Sequence, residues 1–172
     1  MDEDSLKNSP RLVEAKHAAK GLLKSAKTTT APVVINNLLG SVTQLFDVTI
    51  KGVPDAVFNS KGDAVTQTRG TCVFILYNDE RPVVRKRFSV AHELGHLYLG
   101  HLHGNSSIAL DTENFDELEA NTFAAHLLMP PTFLKADIKA GINKPEELAK
   151  KYQVSLEALW FQLNATNLFK LL

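Results

Sequence analysis

Cysteine is nearly absent from this sequence, since Cys72 is the single one in 172 residues. One cysteine cannot form a disulfide within the chain, so the disulfide framework of a small secreted protein is excluded and a reducing compartment is favoured. Cys72 lies in the apolar, strand-like run 71–77. We therefore predict a buried, unreactive thiol at this position and not a nucleophile.

An excess of charge of either sign is also missing. The 19 lysines and arginines balance the 19 aspartates and glutamates, so the formal net charge is zero. A dedicated nucleic-acid-binding protein usually carries a basic excess. No direct contact with nucleic acid is therefore expected.

Long apolar runs are absent as well. No run reaches the roughly 20 residues that a membrane-spanning helix needs. The acidic N-terminus, residues 1–4, lacks the basic start and the apolar stretch of a secretory signal. We expect a cytoplasmic protein with no membrane partner. We also expect a single domain over residues 1–172, with 1–9 disordered and 132–172 forming a C-terminal helical extension.

The most informative feature that is present is the segment HELGH, residues 92–96. On an α-helix His92 and His96 share one face, and Glu93 lies about 100° further round. This is the HExxH spacing of zinc hydrolases, in which the glutamate is the general base. The flanking residues are apolar, which predicts a buried helix whose polar face is compensated by a metal ion. Gly95 leaves one side of the helix slim enough for close packing.

A catalytic zinc usually has three protein ligands, so a third must come from elsewhere. A metzincin would place glycine at position 99 and histidine at position 102, and Leu99 and Leu102 exclude that class. His101 and His103 follow at a point where glycines indicate the end of the helix. We interpret both as loop or helix-end histidines.

The better source of the third ligand is a predicted helix over residues 115–129, which ends at two prolines. Glu117 and Asn121 share a face of this helix with small residues that permit close approach to the HExxH helix. We predict Glu117 as the third ligand and Asn121 as a hydrogen-bond partner of a ligand. Glu119 lies about 200° round from Glu117 and is the alternative.

The remaining chain is predicted from periodicity and turn residues. Helices are expected over about 10–25, from 32 to 45, and over 132–140. Four short runs, 47–51, 56–60, 64–68 and 71–77, predict an antiparallel sheet of about four strands. We expect one run, most simply 71–77, to pair with an extended peptide or else to be an ordinary core strand.

Residues 145–164 have the pattern of a helix-turn-helix. The second helix would present packing residues and few donors for base edges, so we do not interpret it as DNA-binding. Those packing residues are Leu156, Leu159, Trp160, Phe161 and Leu163.

Taken together, the segments RFSVAHELGH (87–96), ELEANTFAA (117–125) and LLMP (127–130) resemble the ImmA/IrrE family of metallopeptidases. The resemblance implies an α+β, zincin-like fold in which a small antiparallel or mixed sheet packs against the active-site helix and extra helices follow at the C-terminal end. It implies one zinc ion held by His92, His96 and a glutamate of the ELEAN segment, with Glu93 as base. It also implies a protein substrate, namely a separate helix-turn-helix repressor whose cleavage relieves repression.

These residues support zinc-dependent hydrolysis of peptide bonds, with Glu93 taking a proton from water. Two imidazoles and a carboxylate suit zinc, although manganese and other divalent ions remain alternatives. Four residues are candidates for a second oxyanion donor: Arg87, Tyr98, His126 and Tyr152. The alternative function is a binding protein that sequesters a repressor or an antitoxin without cutting it.

Overall fold

The computed structural model describes residues 9–58, 62–101 and 112–172, and the elements in these ranges form an α+β fold. The helices are α1 (Leu12–Ser25), α2 (Ile35–Val42), α3 (Val83–Leu99), α4 (Thr112–Leu128), α5 (Pro131–Lys139), α6 (Pro145–Tyr152) and α7 (Leu156–Ala165). The strands are β1 (Asp47–Val53), β2 (Ala64–Arg69) and β3 (Cys72–Asn78). Short 3-10 turns occupy Asp55–Val57 and Leu168–Leu171.

The described strands form a mixed three-stranded sheet in the order β1-β3-β2. β2 and β3 are antiparallel, and a tight turn at Gly70 (φ 62°) joins them. β1 pairs in parallel with the other side of β3, in a register that places Asp47 opposite Cys72. The prediction of four antiparallel strands is therefore wrong. The run 56–60 begins in a 3-10 turn, and residues 59 and 60 lie outside the described residues.

Of the two alternatives for the run 71–77, the ordinary core strand is the one observed, because β3 is the central strand of the described sheet. Val73 and Ile75 are buried on β3, as the apolar character of this strand leads one to expect. Cys72 at its start is only partly buried, and its thiol donates a hydrogen bond to Asp47 Oδ2 at 3.0 Å. This bond and the adjacent negative charge raise the pKa of the Cys72 thiol. The prediction that the thiol is buried is wrong, because Cys72 stands at the open start of its strand.

Helices α3 and α4 pack closely together at Gly95. A Cβ atom on Gly95 would lie 3.0 Å from Ala120 Cα, 3.0 Å from the Ala120 carbonyl oxygen and 3.2 Å from Phe123 Cβ. The predicted structural use of Gly95 is confirmed. The close packing of α3 on α4 brings the polar faces of the two helices together.

The sheet packs on α3, and α1 packs on α4. The buried residues of α1 include Ala15, Ala19 and Leu22. The C-terminal helices α5 to α7 follow on the same apolar core. There Gln162 Nε2 donates to the Met129 carbonyl at 3.0 Å. None of the helices in the described part of the chain combines the length and the apolar character that crossing a bilayer requires.

Candidate metal centre

His92 and His96 lie one turn apart on α3 and point to the same place. Their Nε2 atoms are 2.9 Å apart, and their ring centroids are 4.6 Å apart. The two side chains are 16% and 15% exposed, so the pair is mostly buried but is open on one side. The helical spacing of four residues produces this convergence.

Glu117 on α4 closes the group from the neighbouring helix. Its Oε2 atom lies 3.2 Å from His92 Nε2, and its Oε1 atom lies 3.3 Å from His96 Nε2. Ligands bound at about 2.0–2.2 Å to a tetrahedral zinc ion are roughly 3.3 Å from one another. The three predicted ligands are thus brought together at the spacing that a small divalent ion requires.

Asn121 lies one turn beyond Glu117 and holds His92 in place. Its Oδ1 atom is 2.9 Å from His92 Nδ1, a contact in which the imidazole N–H donates to the amide oxygen. With its hydrogen on Nδ1, His92 has a lone pair on Nε2, which faces His96 and Glu117. The donor chemistry therefore fits a metal ion, and Asn121 occupies the position predicted for it.

His96 is a neutral imidazole at neutral pH. Burial, helped by the neighbouring His92 and His101, lowers the pKa of His96 to about 3. Its contact with Glu117 is therefore not an ion pair of the usual kind at pH 7. A neutral imidazole and a carboxylate are the forms in which these side chains bind metal.

Glu93 lies beside this group, close to His92 and Glu117, and contacts the sheet. Thr66 on β2 donates a hydrogen bond to Glu93 Oε2 at 2.5 Å. Burial raises the pKa of Glu93, and the negative charge of Glu117 adds to this rise. The Thr66 hydrogen bond and the nearby His92 act in the opposite direction but do not cancel it. Thr66 was missed from the sequence, where it is one polar residue of an alternating strand.

A second polar group lies behind His96 and was also missed. His101 Nδ1 is 3.0 Å from His96 Nδ1, and His101 Nε2 is 2.9 Å from Glu119 Oε2. Asp116 Oδ1 is 3.5 Å from the same His101 nitrogen. Arg11 Nη2 lies 2.9 Å from Glu119 Oε2, so the guanidinium supplies the positive charge of this group.

The two candidate glutamates lie in different groups, and His101 belongs to the second of them. Glu117 reaches the His92–His96 pair, whereas Glu119 points to the second group. His101 does follow the end of its helix at Gly100, but its ring is buried against His96. His103 lies outside the described residues.

The candidate oxyanion donors have structural contacts. Three of them are engaged in hydrogen bonds: Tyr152 with Asp137 Oδ2, Arg87 with the Val33 and Gln153 carbonyls, and His126 with the Thr122 carbonyl. The fourth, Tyr98, stacks on Phe123 at a centroid distance of 5.5 Å.

A cavity of about 650 Å³ adjoins the candidate metal centre, because Asn121 lines it. Its other walls come from α3, α4 and α7 and are mostly apolar. They include Phe88, Leu118, Ala158 and Phe161. Phe88 precedes His92 by one helical turn, so it lies on the same face of α3 as the two imidazoles.

The chain matches one known protein family and is similar to solved structures. Residues 43–164 match the IrrE N-terminal-like domain, Peptidase_M78. No curated protein matches the chain. Among solved structures, the chain is similar to a Mycobacterium tuberculosis transcriptional regulator, with a TM-score of 0.66 and 15% identity. The similarity covers 87% of this chain and 46% of that one, so this chain spans less than half of that protein's length. At this identity the likeness shows the fold alone.

Proposed function

The chain belongs to the IrrE N-terminal-like domain family of peptidases, and from that premise we propose that it is a zinc-dependent endopeptidase with a zincin-like fold. The observation that carries the proposal is the convergence of His92, His96 and Glu117, with Glu93 beside them. We propose one metallopeptidase domain over residues 1–172, of which 132–172 form a C-terminal helical extension.

His92, His96 and Glu117 would hold the zinc ion. Bound there, it would polarise the scissile carbonyl and acidify water. Glu93 takes a proton from the attacking water as the new C–O bond forms. It then returns that proton to the leaving nitrogen as the C–N bond breaks. Because burial raises its pKa, Glu93 accepts the proton more readily than an ordinary glutamate.

An extended peptide would bind along β2. This strand is at one edge of the described sheet, and its Thr66 contacts Glu93 directly. Adding a peptide strand to an open edge uses main-chain hydrogen bonds, which every peptide can supply. β2 therefore replaces the central strand β3 as the proposed substrate-binding strand.

The adjoining cavity would take a side chain of the bound peptide. Its walls of Phe88, Leu118 and Phe161 favour a large apolar side chain, because burial of apolar surface is favourable. The cavity lies next to Asn121 and hence close to the proposed scissile bond. This supports a substrate with an apolar residue next to the cleavage site.

We propose that the substrate is a separate helix-turn-helix repressor in the cytoplasm, and that cleavage relieves repression. The family resemblance supports this. No direct contact with DNA and no membrane partner are part of this proposal.

The test is cleavage by the purified chain of labelled, unfolded casein and of repressors encoded beside it. The zinc-loaded protein should cut these, the chelated protein should not, and added zinc should restore cutting. Glu93→Gln should bind zinc normally and lose about 10²–10⁴-fold in turnover. Binding of a repressor without cleavage, unaffected by chelation, would contradict this proposal and support sequestration instead.

A further inference from the structure

A chain of buried contacts leads from His96 away from the proposed metal. His96 Nδ1 is 3.0 Å from His101 Nδ1, and His101 Nε2 is 2.9 Å from Glu119 Oε2. The side chains of His101 and Glu119 are each 3% exposed. We propose that His101 is a positioning residue that fixes His96 with its hydrogen on Nδ1, so that the lone pair on Nε2 faces the ion. This inference rests on the proposed metal site.

The direction of these hydrogen bonds follows from the carboxylate at the far end. An ionised Glu119 only accepts, so the His101 nitrogen beside it must donate an N–H. A neutral His101 with its hydrogen on Nε2 has an acceptor at Nδ1. His96 then donates its Nδ1–H to His101, and its own Nε2 is left free to bind.

Arg11 keeps Glu119 ionised and fixed. Its backbone N–H donates to Glu119 Oε1 at 2.5 Å, and its Nη2 lies 2.9 Å from Oε2 and 3.2 Å from the Leu99 carbonyl oxygen. Arg11 Nη2 is also 2.9 Å from His101 Nε2. Arg11 lies outside the family match of residues 43–164. The N-terminal segment is thereby connected to the metal site through three side chains.

His92 and His96 are thus oriented in the same way by different partners. Asn121 accepts the Nδ1–H of His92, and His101 accepts that of His96. Both lone pairs face one point, which Glu117 also reaches. Loss of the partner of a metal-ligating histidine typically weakens metal binding by about 10–100-fold.

The experiment is a zinc titration of the full chain against a competing chelating dye. His101→Leu should bind zinc about 10–100-fold more weakly than the unmodified protein. His101→Gln should bind nearly normally, because its amide can accept from His96 and donate to Glu119. His126→Leu is the matched control, since His126 is a partly buried histidine on α4 that bonds the Thr122 carbonyl. It should leave zinc affinity unchanged.

Two results would overturn the inference. One is His101→Leu binding zinc as tightly as the unmodified protein. The other is His101→Leu and His126→Leu losing affinity equally, which would indicate a general structural effect. If His101→Leu does not fold, Glu119→Gln takes its place, and it must weaken zinc binding several-fold for the inference to stand.

A second readout is the tautomer of His96 in the metal-free protein, measured from its side-chain ¹⁵N shifts. The inference requires hydrogen on Nδ1, and hydrogen on Nε2 would contradict it. These measurements do not involve cleavage. A protein that binds zinc in this pattern but cuts no peptide would refute the proposed function and leave the positioning role of His101 intact.

Discussion

Thr66 on the edge strand donates a hydrogen bond to Glu93 on the adjacent helix, with 2.5 Å between the hydroxyl oxygen and Oε2. The proposed general base is therefore oriented by the strand that we propose binds the substrate. Binding of a peptide to β2 and placement of the base are linked through this single contact.

Thr66→Val should lower kcat for peptide cleavage by about tenfold, because Glu93 loses the donor that orients it. Thr66→Ser keeps the hydroxyl and should retain most of the activity. Zinc content should be normal in both, since Thr66 contacts no proposed ligand of the described site. Steady-state kinetics on one peptide makes the comparison. Equal kcat in the valine and serine variants would show that the hydroxyl does not orient the base.

Gly95→Ala should destabilise the protein by about 1–3 kcal/mol, because the added methyl group meets the backbone of Ala120 at 3.0 Å. It should also weaken zinc binding, since separating α3 from α4 moves Glu117 away from the histidines. Gly21→Ala is the matched control, because a Cβ on Gly21 in α1 has nothing within 4 Å.

That control should gain about 0.5–1 kcal/mol through helix propensity. Urea unfolding measures both variants. If Gly95→Ala were as stable as the unmodified protein, tight packing of α3 on α4 would not be required to keep Glu117 next to the two histidines.

The ion pairs of Asp63 with two arginines lead us to expect a loss of stability in acid. It accepts hydrogen bonds from Arg81 at 2.7 Å and from Arg85, which join the start of β2 to the start of α3. Burial acts to raise the pKa of Asp63, but the hydrogen bonds and charges of the two arginines outweigh it and lower the pKa below 3.8.

A lowered folded-state pKa means that this contribution is fully present above about pH 3.8 and is lost as pH falls through the folded value. Asp63→Asn should therefore cost roughly 1–2 kcal/mol at pH 7 and progressively less towards pH 2. Denaturant unfolding at several pH values checks this. A cost that stays constant across the range would rule out the charge as its source.

From the apolar walls of the cavity we expect peptides with a large apolar residue beside the scissile bond to be cut best. Ala158→Phe should fill part of it and lower kcat/KM for peptides with a large apolar residue beside the scissile bond by roughly tenfold or more. Peptides with alanine there should be affected much less. Ala136→Phe, on an exposed position of α5 away from the cavity walls, is the control. A uniform loss for both peptides would mean that the cavity does not select the side chain.

The convergence of His92, His96 and Glu117 could be predicted from the sequence because its geometry is local to two helices. Four-residue spacing places His92 with His96, and Glu117 with Asn121, whatever the rest of the fold does. The pairing of strands depends on contacts between distant segments. β1 lies beside β3 and parallel to it only because the β2–β3 hairpin leaves that side of β3 open. The alternation of apolar and polar residues within a strand does not indicate which strand it will pair with or in which direction.

The contacts of His101 could not be predicted from the sequence for a similar reason. Its partner Glu119 is 18 residues away, and Arg11 is 108 residues from Glu119. These three side chains meet only because α1 packs on α4 and the chain turns at Gly100. The glycine and the helix end were visible in the sequence, but the direction in which His101 then points was not.

The most direct test of the central claim is the metal content of the purified protein. After incubation with zinc and dialysis, elemental analysis should find one zinc ion per unmodified chain. His92→Ala should contain almost none, and His126→Ala should contain as much as the unmodified chain. Full zinc content in His92→Ala, or none in the unmodified protein, would contradict the account.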